Sequence, residues 1–154
     1  MAKIYVASSW SNSSQPVVVA YLRSLGHDVY DFRKPSGVLE DNVWNEKSVR
    51  DIAFPHRMTE KDFTTVCKMP VVKEKFKKHF DAIIEADICV LLLPCGASAH
   101  TEAGYMAGQG KKVIVFNTEQ YLKPELMYLF FGGYTGDVDK LKEMINEYNH
   151  EQPQ

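Results

Sequence analysis

This chain carries almost no net charge: 18 basic against 20 acidic residues leave −2 at pH 7 in 154 residues. Such a balance gives no electrostatic footprint for nucleic acid or for an anionic membrane surface, so neither is expected as a partner. Lys73, Lys75, Lys77 and Lys78 form a local basic run, which reads as a solvated helix face. Long apolar runs are missing, and none approaches the ~20 residues needed to cross a bilayer. The first residues pass straight into a strand pattern, so no signal peptide is expected. Cysteine is scarce and odd in number. Cys67, Cys89 and Cys95 lack the spacing of metal ligands, so no metal site is expected. Cys89 sits inside an apolar run and reads as inert, and the cytoplasm is the expected compartment. Repeats and low-complexity tracts are absent. Glycine is absent where a dinucleotide fingerprint would need it, because the loop after the first strand is Ser8-Ser9-Trp10-Ser11-Asn12-Ser13-Ser14. A Rossmann dehydrogenase is thereby disfavoured.

What is present is organised around Asp87 to Asn117. Ile88 to Leu93 is an unbroken apolar run, the pattern of a strand buried on both faces of a parallel sheet. Pro94 and Gly96 stop the strand and open a turn. Ser98 is placed to cap a helix from about Ala99 to Gly108. Gly110 ends the unit, and Lys112 to Phe116 reads as a second buried strand. In such units a ligand sits beyond the carboxyl ends of the strands, where the turn meets the helix N-terminus. That turn and first helical turn carry Ser98, His100, Thr101 and Glu102. Free amides at a helix start favour anions and the ionised form of Glu102. An ionised carboxylate on the floor of a cleft suits a nucleophile. Gly104 and Gly108 share one helical face, which allows close approach to the sheet, to a ligand or to a second chain.

The remainder alternates strand and helix patterns. Lys3 to Ala7 is the first strand, Gln15 to Leu25 a helix with Pro16 in its first turn and Gly26 as its stop, and His27 to Phe32 the second strand. The stretch from Arg33 to Pro70, with Trp44, Arg50, Pro55, His56 and Arg57, is long for a connection. It contains one short helix pattern near Asn45 to Ile52. A connection of that length reads as a cover over a site, with an insertion packed on the sheet edge as the other reading. Trp44 is either its ligand-facing anchor or a structural tryptophan. Val71 to Glu85 is a helix with Val72, Phe76, Phe80 and Ile83 on one face. Lys123 to Phe131, with Pro124 in its first turn, reads as another. A short fifth strand follows near Gly132 to Thr135. Asp137 caps a last helix over Val138 to about Tyr148, and residues 149–154 read as a frayed tail. The whole, 1–154, reads as one α/β domain. Its expected form is a doubly wound, flavodoxin-like sheet of five parallel strands in the order 2-1-3-4-5, with helices on both faces. That order brings the Ser8–Ser14 loop and Ser98–Glu102 to one cleft.

These residues resemble the nucleoside 2-deoxyribosyltransferase family. Its members carry a similar strand and turn, a helix with Glu-x-Gly, then Gly-Lys and another strand. Here these are Glu102-Ala103-Gly104 and Gly110-Lys111. Lys3-Ile-Tyr-Val-Ala-Ser-Ser9 resembles the family's first strand and substrate loop. Pro94-Cys-Gly-Ala-Ser-Ala-His100 is similar to small phage and bacterial members. The likeness spans Lys3 to about Leu141. The same residues resemble, more distantly, the lysine-decarboxylase-like phosphoribohydrolases, whose motif Pro94, Gly96 and Glu102 match while Cys95, Ser98 and Ala99 depart from it. Both families cleave N-glycosidic bonds.

The resemblance implies an enzyme, without metal or redox cofactor, that breaks the bond between a nucleobase and (deoxy)ribose. Glu102 is then the catalytic nucleophile. The sugar passes to a second base in a transferase or to water in a hydrolase. The candidate substrate contacts are Ser8, Ser9, Trp10, Trp44, Asp87, Gly96, Ser98 and His100. Ser98 reads equally as a cap, and His100 as a helix-cap histidine. The family often has an aspartate six residues before the glutamate. Gly96 stands there in this chain, which leaves Asp87 or Asp81 to protonate the departing base. The resemblance also implies a homo-oligomer with shared sites, for which Tyr105, Tyr128, Phe130 and Phe131 are candidate interface aromatics. The competing reading is a non-catalytic nucleotide-binding or signalling module, since this fold class hosts many functions.

Overall fold

The structure, a computed structural model, describes residues 1–35, 37–52, 57–121, 123 and 125–151, with side chains as far as residue 148. Five strands pair in parallel in the order β2-β1-β3-β4-β5. They are Lys3–Ala7 (β1), Asp28–Tyr30 (β2), Ile88–Leu93 (β3), Lys112–Asn117 (β4) and Gly133–Thr135 (β5). Every residue of the central strand β3 is buried. Its neighbours hold it in register, with Ile4 opposite Ile88 on β1 and Ile88 opposite Lys112 on β4. The fold class and strand order expected from the sequence are those observed.

Alternation along the strands assigns the two faces. Ile4, Val6, Ile88, Val90, Leu92, Ile114 and Phe116 form one core with Val18, Val19 and Leu22 of Gln15–Ser24 (α1) and with Leu141 and Ile145 of Val138–Glu151 (α6). Tyr5, Ala7, Cys89, Leu91, Val113 and Val115 point to the other face and are equally buried. Ala97–Gly108 (α5) covers that face with Ala99, Ala103 and Met106. The helix stops follow from backbone chemistry. Gly26 after α1 and Gly110 after α5 have φ of 86° and 77°, a region in which side chains with a Cβ are strained. Asp137 caps α6, its Oδ1 accepting from the amides of Asp139 (2.7 Å) and Lys140 (3.1 Å).

The chain divides into two compact units, Met1–Asp31 with Ile83–Gln154, and Phe32–Ala82. The first contains the whole sheet. The second contains the long connection, whose described residues include short helical elements. It holds a 3-10 turn at Val43–Asn45, then Lys47–Arg50 (α2) and Glu60–Val66 (α3), and most of Pro70–Glu85 (α4). Val49 and Val66 are its buried centre, with Trp44, Met58, Met69, Val71 and Val72 packed around them. The α3 helix adds to the elements expected from the sequence; Thr59 and Asp62 form a reciprocal capping box at its start.

Several local expectations are corrected. The helix expected over Lys123–Phe131 is a 3-10 turn at Leu126–Phe130, because Leu-Met-Tyr-Leu-Phe-Phe has no amphipathic period to lay on a surface; Pro124 lies outside the described residues. The second strand is three residues rather than six, as suits an edge. Gly96, not Ser98, is the N-cap of α5, and Ser98 is an exposed residue of its first turn. Phe76 does not face inward. It is 67% exposed and stacks on Phe80 with ring centres 5.6 Å apart. The residues expected as a frayed tail begin as helix, since α6 runs to Glu151, and 152–154 lie outside the described residues.

Lys111, part of the Gly-Lys motif, has a structural task. Its ammonium donates to the carbonyls of Ile83 (2.7 Å) and Ile84 (2.6 Å) in the last turn of α4. Those carbonyls have no partner within the helix, and a cation there also complements the helix dipole. Hydrogen bonds to a charged group are worth about 1.5–3 kcal/mol. Lys111→Met keeps the stem and removes the donor. It is expected to lower the unfolding free energy by about 1–3 kcal/mol in urea titration, with the m-value unchanged.

Candidate active site

The sheet order sets β1 beside β3 at the point where the connections diverge to opposite faces, the switch point of this architecture. Three loops meet at the carboxyl ends of the strands. Ser8 Oγ donates to the carbonyl of Leu92 at 3.0 Å, and buried Asn12 donates through Nδ2 to the carbonyl of Pro94 at 3.2 Å. Asn12 Oδ1 also accepts from the amide of Ser14 at 2.9 Å, which shapes the β1 loop. Thr118, just after β4, donates to the carbonyl of Leu93 at 3.4 Å. The Leu93–Pro94 peptide in this knot is cis. Ser9 and Ser11 pair through their hydroxyls at 2.9 Å, and Trp10 beside them is half-buried. At the end of β2, buried Asp31 accepts from Gln15 Nε2 at 2.8 Å.

Glu102 is the sixth residue of α5, not a first-turn residue, and it is half-buried. The expected stabilisation of its charge by the helix start is therefore not what governs it. Burial pushes its carboxyl up to about 7, and the hydroxyl of Tyr5 opposes that rise. Tyr5, on the α5 face of β1, is fully buried and stacked on Tyr30 at 5.4 Å. Burial first, then the charge of Glu102, holds its phenol well above the ordinary value. Its hydroxyl is coupled to the carboxylate but closes no hydrogen bond of normal geometry among the described residues. Two thiols share the same surroundings. Burial and then Glu102 push Cys95 up to about 12, and the same causes raise the Cys89 thiol, opposite Tyr5 on β3. At neutral pH both thiols are protonated and make poor nucleophiles.

His100 lies on the β4 side of the α5 N-terminus. Its Nδ1 is 2.9 Å from the carbonyl of Gly96 and 3.6 Å from Cys95 Sγ. A carbonyl only accepts, so Nδ1 carries the hydrogen toward Gly96, and Nε2 pairs with the Tyr128 hydroxyl at 3.0 Å. The two rings stack at 5.8 Å, and Tyr128 stacks in turn on Phe131 at 5.8 Å. Leu93, Cys95, His100, Asn117 and Tyr128 line a cavity of about 290 Å³ here, with Glu119, Lys123 and Glu125 at its polar edge. Glu102 does not line it; the carboxylate faces β1.

The structure thus brings Ser8, Ser9, Trp10, Gly96, Ser98, His100 and Glu102 to the carboxyl ends of β1 and β3. It does not bring Asp87 there. Asp87 precedes β3, where its Oδ2 accepts from the amide of Lys3 at 2.8 Å. The six residues of β3 separate it from the cleft by about 20 Å. Trp44 is half-buried in the core of the second unit, its amide bonded to Asn42 Oδ1 at 3.1 Å. Asp81 is exposed and ion-paired with Lys77. Sequence reasoning missed Tyr5, Asn12 and Tyr128. Strand alternation was the one available signal for Tyr5; a loop asparagine and a tyrosine 28 residues from its histidine gave none.

No protein-family model and no curated protein matches this sequence. Solved structures do match. A 2-deoxyribosyltransferase from Bacillus psychrosaccharolyticus aligns with a TM-score of 0.59 and 22% identity, over 92% of this chain and 90% of its own. A conserved protein from Enterococcus faecalis gives 0.54 and 16%, over 96% and 98%. The response regulator TrrA of Thermotoga maritima gives 0.53 and 16%, over 96% and 99%. At these identities the likeness shows the fold. Among the described residues no helix is long and apolar enough to cross a membrane, and no cluster of side chains suits a metal ion.

A carboxyl raised from 4.5 to about 7 has a stability signature. The folded chain holds that proton more tightly than the unfolded chain does. The resulting stabilisation is complete below about pH 4.5 and is lost as pH rises to about 7. Glu102→Gln lacks this titration. Its melting temperature is expected to rise relative to the parent protein between those limits and to run parallel above them. A melting difference that is flat from pH 4 to 8 would show that the carboxyl is well solvated in the fold.

Proposed function

We propose that the protein cleaves the N-glycosidic bond of a (deoxy)nucleoside or nucleotide, with Glu102 as the nucleophile, and transfers the sugar to another base or to water. The observation that carries this reading is a half-buried carboxylate at the switch point of strands β1 and β3, coupled to the phenol of Tyr5. The likeness in fold to a 2-deoxyribosyltransferase supports it. A response regulator shares the fold, so the fold alone does not select the chemistry.

In the first step a Glu102 oxygen attacks the anomeric carbon. The bond from that carbon to the base nitrogen breaks, and its electron pair leaves with the base, which takes up a proton. The product is a glycosyl ester on Glu102. In the second step a base nitrogen or a water oxygen attacks the same carbon, loses its proton, and restores the carboxylate. The transition state is oxocarbenium-like, so a carboxylate in a poorly solvated place also stabilises its charge. Tyr5 is placed to steer the attacking oxygen. The contacts proposed for the sugar and base are Ser8, Ser9, Trp10, Gly96, Ser98 and His100. Asp87 is too distant to protonate the departing base directly.

Only the ionised form of Glu102 attacks, so turnover is expected to rise with pH through about 7, where burial sets its titration. Glu102→Gln is expected to lose at least ~10²–10⁴-fold in turnover while retaining substrate binding. A 2-fluoro-2-deoxy nucleoside or nucleotide is expected to leave a sugar adduct on the peptide containing Glu102. Base release across a panel of nucleosides and nucleotides, followed by chromatography, measures the first outcome; peptide mass mapping measures the second. Near-normal turnover by the variant, or an adduct on another carboxylate, rejects the assignment. Saturable binding without any base release identifies a non-catalytic module instead.

A further inference from the structure

A base that departs with the electron pair of its glycosidic bond takes up a proton, so a donor has to stand near the carboxyl ends of the strands. Most polar groups there are committed or are poor acids. The hydroxyls of Ser8 and Ser9 are bonded to the Leu92 carbonyl and to Ser11. Buried Asp31 accepts from Gln15, and Asp87 lies at the opposite end of β3. Burial holds the Cys95 thiol up at about 12 and the Tyr5 phenol well above its ordinary value. Histidine is the side chain that in general exchanges a proton around neutral pH, and His100 is the fourth residue of α5.

The ring of His100 is held for such a role. Its Nδ1–H is fixed on the Gly96 carbonyl at 2.9 Å, which leaves Nε2 as the atom that gains or loses a proton. Nε2 lies 3.0 Å from the Tyr128 hydroxyl, and both residues line the cavity of about 290 Å³ at the ends of β3 and β4. A hydroxyl accepts as well as donates, so Tyr128 satisfies Nε2 with its proton or without it. Burial above all raises the Tyr128 phenol from its ordinary value, so its own hydrogen stays in place at neutral pH. The cavity is at the small end of ligand pockets, which run from about 300 to 1,000 Å³, and it suits one ring system. Two residues apart on a helix, Glu102 and His100 point to opposite sides, with their end groups on the order of 10 Å apart. A near-attack anomeric carbon about 3–3.5 Å from the carboxylate, a base nitrogen ~4 Å farther on and a hydrogen bond of about 2.6–3.2 Å span that distance. Gly96, at the helix start between them, is exposed and has open space where a side chain would stand. A ligand has room to lie across it.

We propose that His100 is the proton donor to the departing base, which enters the cavity beside Tyr128 while the sugar stays over Glu102. The assignment rests on the glycosidic reading of Glu102. As the bond from the anomeric carbon to the base breaks, its electron pair goes to the base. The proton on Nε2 of the imidazolium passes to a ring nitrogen or carbonyl oxygen of that base. Neutral Nε2 then accepts from the Tyr128 hydroxyl. In the second step the incoming water or base attacks the anomeric carbon, and the ester oxygen takes back its electron pair. The proton that the nucleophile sheds returns to Nε2. The histidine ends each cycle as it began, and no other reactant is needed.

His100→Asn keeps an amide N–H where Nδ1–H meets the Gly96 carbonyl and has no proton to give at Nε2. Base release from ordinary nucleosides and nucleotides is expected to fall by at least ~10²-fold, the usual contribution of a positioned acid. A 7-methylguanine nucleoside loses its base in neutral form without a proton. Its release is expected to fall by less than about 10-fold, the scale of one lost contact. Glu102→Gln is expected to lose both reactions, since both need the nucleophile. Tyr128→Phe removes only the hydroxyl and is expected to slow only the ordinary substrates, by roughly 5- to 10-fold. Equal losses on the two kinds of substrate make the histidine a structural anchor, and unchanged turnover makes it a bystander; either overturns the assignment. If circular dichroism shows that His100→Asn does not fold, Tyr128→Phe carries the same comparison. Parent protein that releases no base from either kind of substrate removes the glycosidic reading itself, and this assignment with it.

Discussion

Burial of β3 on both faces is the constraint from which the rest follows. Six consecutive apolar residues without alternation cannot sit at a solvated surface, so helices must cover both sides of the sheet. Parallel strands need crossover connections, and crossovers that leave to opposite faces diverge between β1 and β3. The loops after β1, β3 and β4 are then forced to one edge. Ser8, Asn12 and Thr118 tie them together there through the carbonyls of Leu92, Pro94 and Leu93. The position of the candidate site is thus a consequence of core packing, not an addition to it.

The electrostatic character of that site is decided by a competition between helix dipole and burial. A helix N-terminus stabilises a carboxylate by about 0.3–1 kcal/mol, and the effect fades beyond the first turn. Each pKa unit corresponds to about 1.4 kcal/mol, so the rise of Glu102 from 4.5 to about 7 is the larger effect by a wide margin. Position explains the outcome: Glu102 is past the first turn and faces buried Tyr5 and Cys89. Its carboxyl titrates near neutrality. The thiols beside it are silenced by the same low polarity and by its charge.

The two sides of α5 have different uses. Ala99, Ala103 and Met106 pack on the sheet, Glu102 looks toward β1, and His100 anchors the Tyr128 turn beyond β4. Gly104 and Gly108 are turned outward. A twelve-residue helix therefore carries core, a half-buried carboxylate and an open surface on successive faces. Lys111, immediately after it, closes the end of α4. Motif residues that read as one functional block are in fact divided among the candidate site, helix capping and surface.

The architecture was legible in the residues alone: the five strands, their order and the main helices show because apolar periodicity and glycine stops are local signals. So was the meeting of Glu102 and the Ser8–Ser14 loop at one edge, since the fold class implies that geometry. The folded chain decides the rest. Asp87 is separated from the cleft by the length of β3, and Trp44 belongs to the packing of its own unit. The run from Leu126 to Phe130 forms a 3-10 turn and not an amphipathic helix, because its unbroken apolar sequence has no polar face to turn to solvent. The titration of Glu102 is raised by the burial that the fold imposes and opposed by Tyr5, far earlier in the chain. Periodicity reports which face a residue takes; solvation and partners depend on what the folded chain places against that face.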